Sequence, residues 1–365
     1  MSPKRLINTS TGSMSSWSII KLFINLVVSD IIHQMNYILL TGAGFSRNWG
    51  GWLASEAFEY LLGCQEILGN QYLLDRLWRN LPTGGFENAL AEIQANFIKN
   101  PQANTQNLLD MQSAVTKMFN DMNRGYFDNN VFEFQHASER MVKTFLTKFD
   151  AIFTLNQDLL LEHHYIDHDV SLISNQRWNG SELPGMVPIN NSNAINQNSW
   201  AQRKWMPDIP DNFRLNNRSQ PYFKLHGSSN WQEKLGQPML IMGGNKIRDI
   251  NLHPVLCWYY EQFERRLSEP NTRLMIIGYG FRDEHINAVI MSAVNQCGLK
   301  MFIVAPEGGD LARKINSTNA AAIRVPTDIE ETFERGLIGA SRRSLSETFG
   351  SDTIEFNKVM RFFDA

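Results

Sequence analysis

The sequence predicts an α/β fold: a doubly wound parallel sheet with an inserted helical module. Three observations carry this. Short apolar runs, YILLT from Tyr37, AIFT from Ala151, RLMII from Arg273 and KMFIV from Lys300, lack the apolar-polar alternation of a half-exposed strand, as strands covered on both faces do. The first three end in Gly, Asn, Asp or small polar residues and are followed by helical periodicity rather than by a hairpin signal. Between the first two runs, about residues 56–146 read as helix after helix.

Taken in order, YILLTGAGFS (Tyr37–Ser46) is a strand running into a glycine turn that opens a helix, the arrangement that offers backbone amides to a phosphate. By itself the segment also describes α/β proteins without a ligand. Trp52–Leu62 continues as helix, and in FENALAEIQANF residues Phe86, Leu90, Ile93 and Phe97 share one face. At Asp150 the character changes. AIFTLNQD reads as a buried strand whose C-terminal end reaches a crevice, and LLLEHHY starts a helix. Residues 172–221, rich in Asn, Ser, Pro and Trp, read as a surface excursion or a lid. PYFKLHGSSNW is a strand entering a glycine turn, PMLIMGG a further strand, and HPVLCWYYEQFERRLSE a helix. RLMIIGYGFRDEHIN repeats strand, glycine turn and helix, with Asp283 near the helix start. From Pro326 the chain reads as helical and contains the basic segment ASRRSLSE. The expected organisation is an N-terminal extension (1–34), a main domain (35–325) and a C-terminal helical segment (326–365).

With 365 residues, 43% hydrophobic and 19% charged, the chain can bury a sizeable core. Its formal net charge of -3 gives no electrostatic ground for nucleic acid as the direct ligand. Cys64, Cys257 and Cys297 form no CxxC pair, so neither a disulfide framework nor a zinc ribbon is expected, and a reducing cytoplasm fits. The apolar stretch Trp17–Ile32 is interrupted by Lys21, Asn25 and Asp30 and reads as an amphipathic or buried helix rather than a signal peptide. Ile20, Phe23, Ile24, Val27, Val28 and Ile31 share its apolar face, suited to the body or to a neighbouring subunit. Initiation at Met35 fits the sequence as well as initiation at Met1.

Four segments, TGAGFS, FTLNQD, KLHGSSNW and IIGYGFRDEHIN, stand in order at strand ends. Together they resemble the sirtuin family, most closely its prokaryotic branch of sirtuin-like NAD hydrolases used in anti-phage defence. The resemblance covers roughly Met35–Pro306 and implies a Rossmann-like, sirtuin-like sheet. It implies that Gly42, Ala43, Gly44, Phe45 and Ser46 hold the NAD diphosphate, that Thr154 opens the Thr-x-Asn-x-Asp motif lining the nicotinamide ribose pocket, and that Gly278, Tyr279 and Asp283 lie towards the adenosine half. Asn156, Asp158 and His226 match the catalytic positions. The zinc-binding cysteine pairs of deacylating members are absent, and Leu155 stands where they have an amide residue. NAD cleavage without a protein substrate, and without a metal, is therefore the leading expectation. Its effect would be defence by NAD depletion. A protein deacylase or ADP-ribosyl transferase is the second expectation, and a non-catalytic NAD-binding scaffold the third.

The chemistry agrees with the first. Nicotinamide leaves NAD as a neutral group from a cation, so cleavage needs stabilisation of an oxocarbenium-like state and a nucleophile, not a proton donor. The Asn156 amide can hold water or a ribose hydroxyl, Asp158 can accept from the carboxamide, and His226 can take a proton. Each has a plainer use: Asn156 and Asp158 as helix caps, His226 as a turn histidine. Glu162, His163, His164 and His168 lack a third ligand at convincing metal spacing. Asp283 and His285 fit a ribose contact or a cap equally, and Trp49, Gly50 and Gly51 a loop over the nicotinamide end or a packed turn. An unchecked NADase would kill its host, so control by homo-oligomeric assembly is expected. The resemblance implies a HerA-type ATPase or an Argonaute-like protein as partner, and the residues do not choose between them.

Overall fold

The chain divides into two compact units, Met1–Met35 and Asn36–Ala365, and the described fold is that of the second. The computed structural model describes residues 35–82, 85–128, 142–189, 199–243, 246–315 and 326–364. The expected N-terminal helix and the INNSNAINQN stretch at 190–198 lie outside these residues.

The strands are β1 (Asn36–Thr41), β2 (Ala151–Thr154), β3 (Gly180–Glu182), β4 (Met186–Pro188), β5 (Trp205–Pro207), β6 (Ser219–Lys224), β7 (Gly227–Gln232), β8 (Pro238–Leu240), β9 (Thr272–Ile277), β10 (Lys300–Val304) and β11 (Leu337–Ser341). Seven form one parallel sheet in the order β11-β10-β9-β1-β2-β6-β3. Leaving aside the edge strand β3, this is the doubly wound order in which the chain builds outward from β1 on one side, then crosses back to β9 and builds outward on the other. The order reverses between β1 and β9, and a crevice for a ligand is expected at their C-terminal ends. The apolar runs are continuous because both faces are covered: Ile38, Leu39, Leu40, Ile152, Phe153, Leu274, Met275 and Ile276 are all fully buried.

Register sets the site. Thr41 is level with Thr154 on β2 and with Ile277 on β9, so the three chains leave the sheet side by side at Gly42, Leu155 and Gly278. The fourth, β6, leaves the main sheet at Leu225–His226 and re-enters a smaller four-stranded sheet as β7. The corner needs glycine: Gly227 has a φ of +74°, and a Cβ there would stand 2.2 Å from the Met239 carbonyl oxygen on β8.

The helical module follows β1 as Ala54–Leu62, Gln65–Leu68, Gln71–Asn80, Gly85–Lys99, Pro101–Asp128 and Val142–Leu146. It has its own core, in which Leu61, Ile67, Leu73, Leu77, Ala89, Ile93, Met111 and Ala114 are fully buried. The longest helix reaches the sheet: Asn123 accepts from the Leu159 amide at 2.9 Å and donates to Ser229 at 3.0 Å, joining the turns after β2 and β6.

Two segments differ from the sequence expectation. The excursion at 172–221 contains β3, β4, β5 and the start of β6, because strands of three residues are too short to show a period. The C-terminal segment is not wholly helical, since LIGAS forms the edge strand β11. Gly339 on β11 lies so close to β10 that a Cβ there would stand 2.6 Å from the Phe302 ring. Beyond β11 the chain turns to the opposite end of the sheet. There Tyr37 donates to the Phe363 carbonyl at 2.8 Å and Arg273 to the Phe362 carbonyl at 2.7 Å. Among the described residues no helix is long and apolar enough to cross a membrane.

Candidate active site at the strand ends

The glycine turn after β1 is shorter than a helix-opening loop. Ala43–Ser46 make one helical turn and Arg47–Trp49 a 3-10 turn, which Gly50 ends with a φ of +82°. A four-residue helix has little macrodipole, so anion binding here would rest on individual amides. The turn packs directly on the one after β9. Gly44 N–H donates to the Gly278 carbonyl at 2.9 Å, and a Cβ on Gly278, whose φ is +67°, would stand 2.2 Å from the Phe45 nitrogen. Phe45 is buried and packs on Trp49 at 5.2 Å between ring centroids. Gly51 N–H donates to the Ser46 carbonyl at 2.9 Å, so Trp49–Gly51 is a packed turn.

The turn after β2 is tied to it. Asn156 Nδ2 donates to the Gly42 carbonyl at 3.0 Å and to Ser46 Oγ at 2.9 Å, and Ser46 Oγ donates to Asp158 Oδ2 at 2.8 Å. The other Asp158 oxygen accepts from the Leu160 amide at 3.0 Å. Asp158 thus serves both as a local cap and as the anchor of Ser46. Thr154 Oγ1 accepts from Thr41 at 2.7 Å and from the Asn156 amide at 3.0 Å, which braces the strand ends. Gln157 donates to the carbonyls of His226, at 3.1 Å, and Ile241, at 2.6 Å, joining the Asn-Gln-Asp turn to the histidine corner.

Behind this turn lies a buried ion pair. Lys224 Nζ, fully buried, donates to Glu162 Oε1 at 2.6 Å and to the Asp158 carbonyl at 2.5 Å, while Tyr222 donates to Glu162 Oε2 at 3.2 Å. Burial pushes the Asp158 and Glu162 carboxyls up, and Lys224 opposes the shift in both. Glu162 is therefore engaged away from any metal. His164 Nε2 lies 3.1 Å from the Tyr126 carbonyl and His163 packs on Phe127, so these histidines are structural.

At the histidine corner, His226 is 3% exposed and its Nε2 lies 3.1 Å from Nε2 of His285. Asp283 pairs with Lys246 at 2.7 Å, and Lys246 pairs with Glu87 of the helical module at 2.8 Å. Burial, then the Lys246 ammonium, hold His226 down to about 3, and Asp283 works in the opposite direction. His226, Asp283 and His285 each offer a ligand atom within 4.8 Å of the others, a set able to hold a cation. Tyr279 is buried, its ring on Phe281, its hydroxyl donating to Asn287 at 2.8 Å and accepting from the Asp283 amide at 3.1 Å. The structure therefore brings Asn156, Asp158, Ser46 and the glycines into one hydrogen-bonded group. It places Asp283 and His285 beside His226 and gives Tyr279 a bracing role. Sequence reasoning missed Gln157, Lys224, Lys246 and Glu87. A lysine inside the apolar strand PYFKL, with Glu162 one helical turn beyond Asp158, was the available signal for the buried pair.

The histidines carry a pH dependence of stability. His226 is held down to about 3 and His164 to about 4, both chiefly by burial, against an unfolded value near 6.5. The unfolded chain binds more protons in that window, so their contribution is complete above about pH 6.5 and is lost as pH falls towards 4. We expect urea midpoints of wild type to fall through this window. His164→Gln should have a shallower slope by up to about 1.4 kcal/mol per pH unit. Equal slopes would show that His164 charges without cost.

Residues 150–325, just under half of the chain, match the family model described as SIR2-like domain. The matched span holds Asn156, Asp158, His226, Gly278 and Asp283, while the glycine turn at 42–46 lies before it. The match supports a sirtuin-like family and fits an NAD-utilising enzyme. No curated protein matches the sequence.

Proposed function

We propose that the chain is an NAD glycohydrolase that cleaves NAD to nicotinamide and ADP-ribose, and that it acts as an effector of bacterial anti-phage defence by depleting NAD. The observation that carries this reading is the hydrogen-bonded linkage of Asn156 to Gly42 and Ser46 at the point where the strand order reverses, with the His226 corner joined to the same turn through Gln157. Support comes from the SIR2-like match over the half of the chain that holds most of these residues.

In the proposed reaction the diphosphate lies against the glycine turn, where the Gly42, Gly44 and Phe45 amides donate to the Ile277, Gly278 and Gly42 carbonyls and hold the turn in shape. Asn156, its NH2 group spent on Gly42 and Ser46, offers Oδ1 to water or a ribose hydroxyl at the reacting carbon. Asp158 keeps Ser46, and through it Asn156, in place. His226, neutral at physiological pH, takes the proton that water loses on adding to the ribosyl cation. Control is proposed to lie in homo-oligomeric assembly with a partner, of which a HerA-type ATPase and an Argonaute-like protein are the two candidates.

Acceptor use separates hydrolysis from transfer. The purified chain incubated with NAD and an acyl-lysine peptide should form free ADP-ribose at the rate seen without peptide. Acceleration by the peptide, with an acylated ADP-ribose as product, would replace hydrolysis by deacylation.

A further inference from the structure

The His226 ring does not stand alone. Its Nε2 meets Nε2 of His285 at 3.1 Å, where one ring must donate and the other accept. Both rings belong to buried residues. An Asp283 oxygen lies within 4.8 Å of a ring nitrogen of each histidine, and Lys246, paired with Glu87, also pairs with that carboxylate. The His285 backbone is held as well, since its carbonyl accepts from the Tyr260 hydroxyl at 3.1 Å.

We propose that His285 is a positioning residue for His226: it fixes the tautomer of the His226 ring and receives the proton that His226 takes up in NAD cleavage. The step balances. The bond from ribosyl C1′ to nicotinamide breaks with its electron pair going to the nicotinamide nitrogen, water forms the new C1′–O bond, and one proton is left over. His226 accepts it on Nδ1, the nitrogen that His285 leaves open, and its Nε2 proton moves to His285 Nε2 beside the Asp283 carboxylate. Asp283 is suited to this, because although burial would raise it, the imidazoles and Lys246 bring it below the ordinary carboxylate value. His226, held down to about 3 by burial, Lys246 and His285, is a weak base, and giving up its Nε2 proton as Nδ1 takes one on spares it from holding both. Lys246 and a charged His285 both disfavour an imidazolium at His226, and the Asp283 carboxylate is the group that favours one.

The kinetic readout rests on the proposed NAD cleavage, so the test has a second arm that does not. In the full chain, His285→Ala should lower kcat for nicotinamide release on the order of 10- to 100-fold with little change in KM. His285→Gln, which can still bond to Nε2, should recover part of it. In 15N-histidine NMR of the ligand-free protein, His285→Ala should change the tautomer-sensitive nitrogen shifts of His226. Unchanged shifts with kcat within about twofold of wild type would overturn the proposal. So would loss of activity on chelation with recovery on adding zinc, which would make the cluster a metal site. If wild type released no nicotinamide, NAD cleavage would fall, and the NMR arm would still decide the histidine pair.

Discussion

Asn156→Ala and His226→Ala are each expected to lower nicotinamide release from NAD on the order of 10²- to 10⁴-fold, the range for loss of a group that positions or deprotonates the nucleophile. Asn156→Ala is the cleaner of the two. It removes two hydrogen bonds, to Gly42 and Ser46, at about 1 kcal/mol each, which a domain of this size tolerates. A fall in rate far larger than the fall in stability places Asn156 in the chemistry. His226→Ala opens a small buried gap as well, so its urea midpoint has to be measured beside its rate. Near-wild-type turnover in both variants would remove the site assignment and leave the fold untouched.

The largest loss of stability is expected from Lys224→Met. The substitution keeps the apolar stem and removes the positive group that pairs with Glu162, whose carboxyl is already raised by burial. Breaking a buried pair by deleting one partner costs about 3–5 kcal/mol, because the remaining charge has neither water nor counter-ion. Protonation of Glu162 can recover part of that cost. The double variant Lys224→Met with Glu162→Leu should regain much of the lost stability in urea unfolding, since an apolar replacement of a whole buried pair is often neutral. It should not regain full activity, because the Asp158 carbonyl still lacks the ammonium that holds it 2.5 Å away. A single variant as stable as wild type would mean that the ion pair is not dry.

The position of Asn156, Asp158 and His226 at strand ends was legible because they follow apolar runs, where a buried strand has no packing use for them. The sheet was legible for the same reason: continuous apolar runs such as NYILLT and KMFIV have few other destinations. Lys224 stands in an apolar run too, yet its partner Glu162 is 62 residues away and only folding brings them together. The same holds for Lys246, which joins Glu87 of the helical module to Asp283 after β9. Neighbouring letters cannot encode such pairings. β11 escaped because LIGAS is short, holds a glycine, and exposes Ile338 by 47%, so it lacks the buried signature of the central strands. His285 was visible as a polar residue near a helix start, but its distance from His226 was not.

The central claim is most directly tested by quantifying nicotinamide and ADP-ribose formed from NAD by the purified full chain, alone and with a co-expressed partner, against Asn156→Ala prepared in the same way. The two products should form in equal amounts from wild type and be nearly absent from the variant. NAD that stays intact with wild type under both conditions, while binding detectably, would contradict it and leave a binding scaffold in its place.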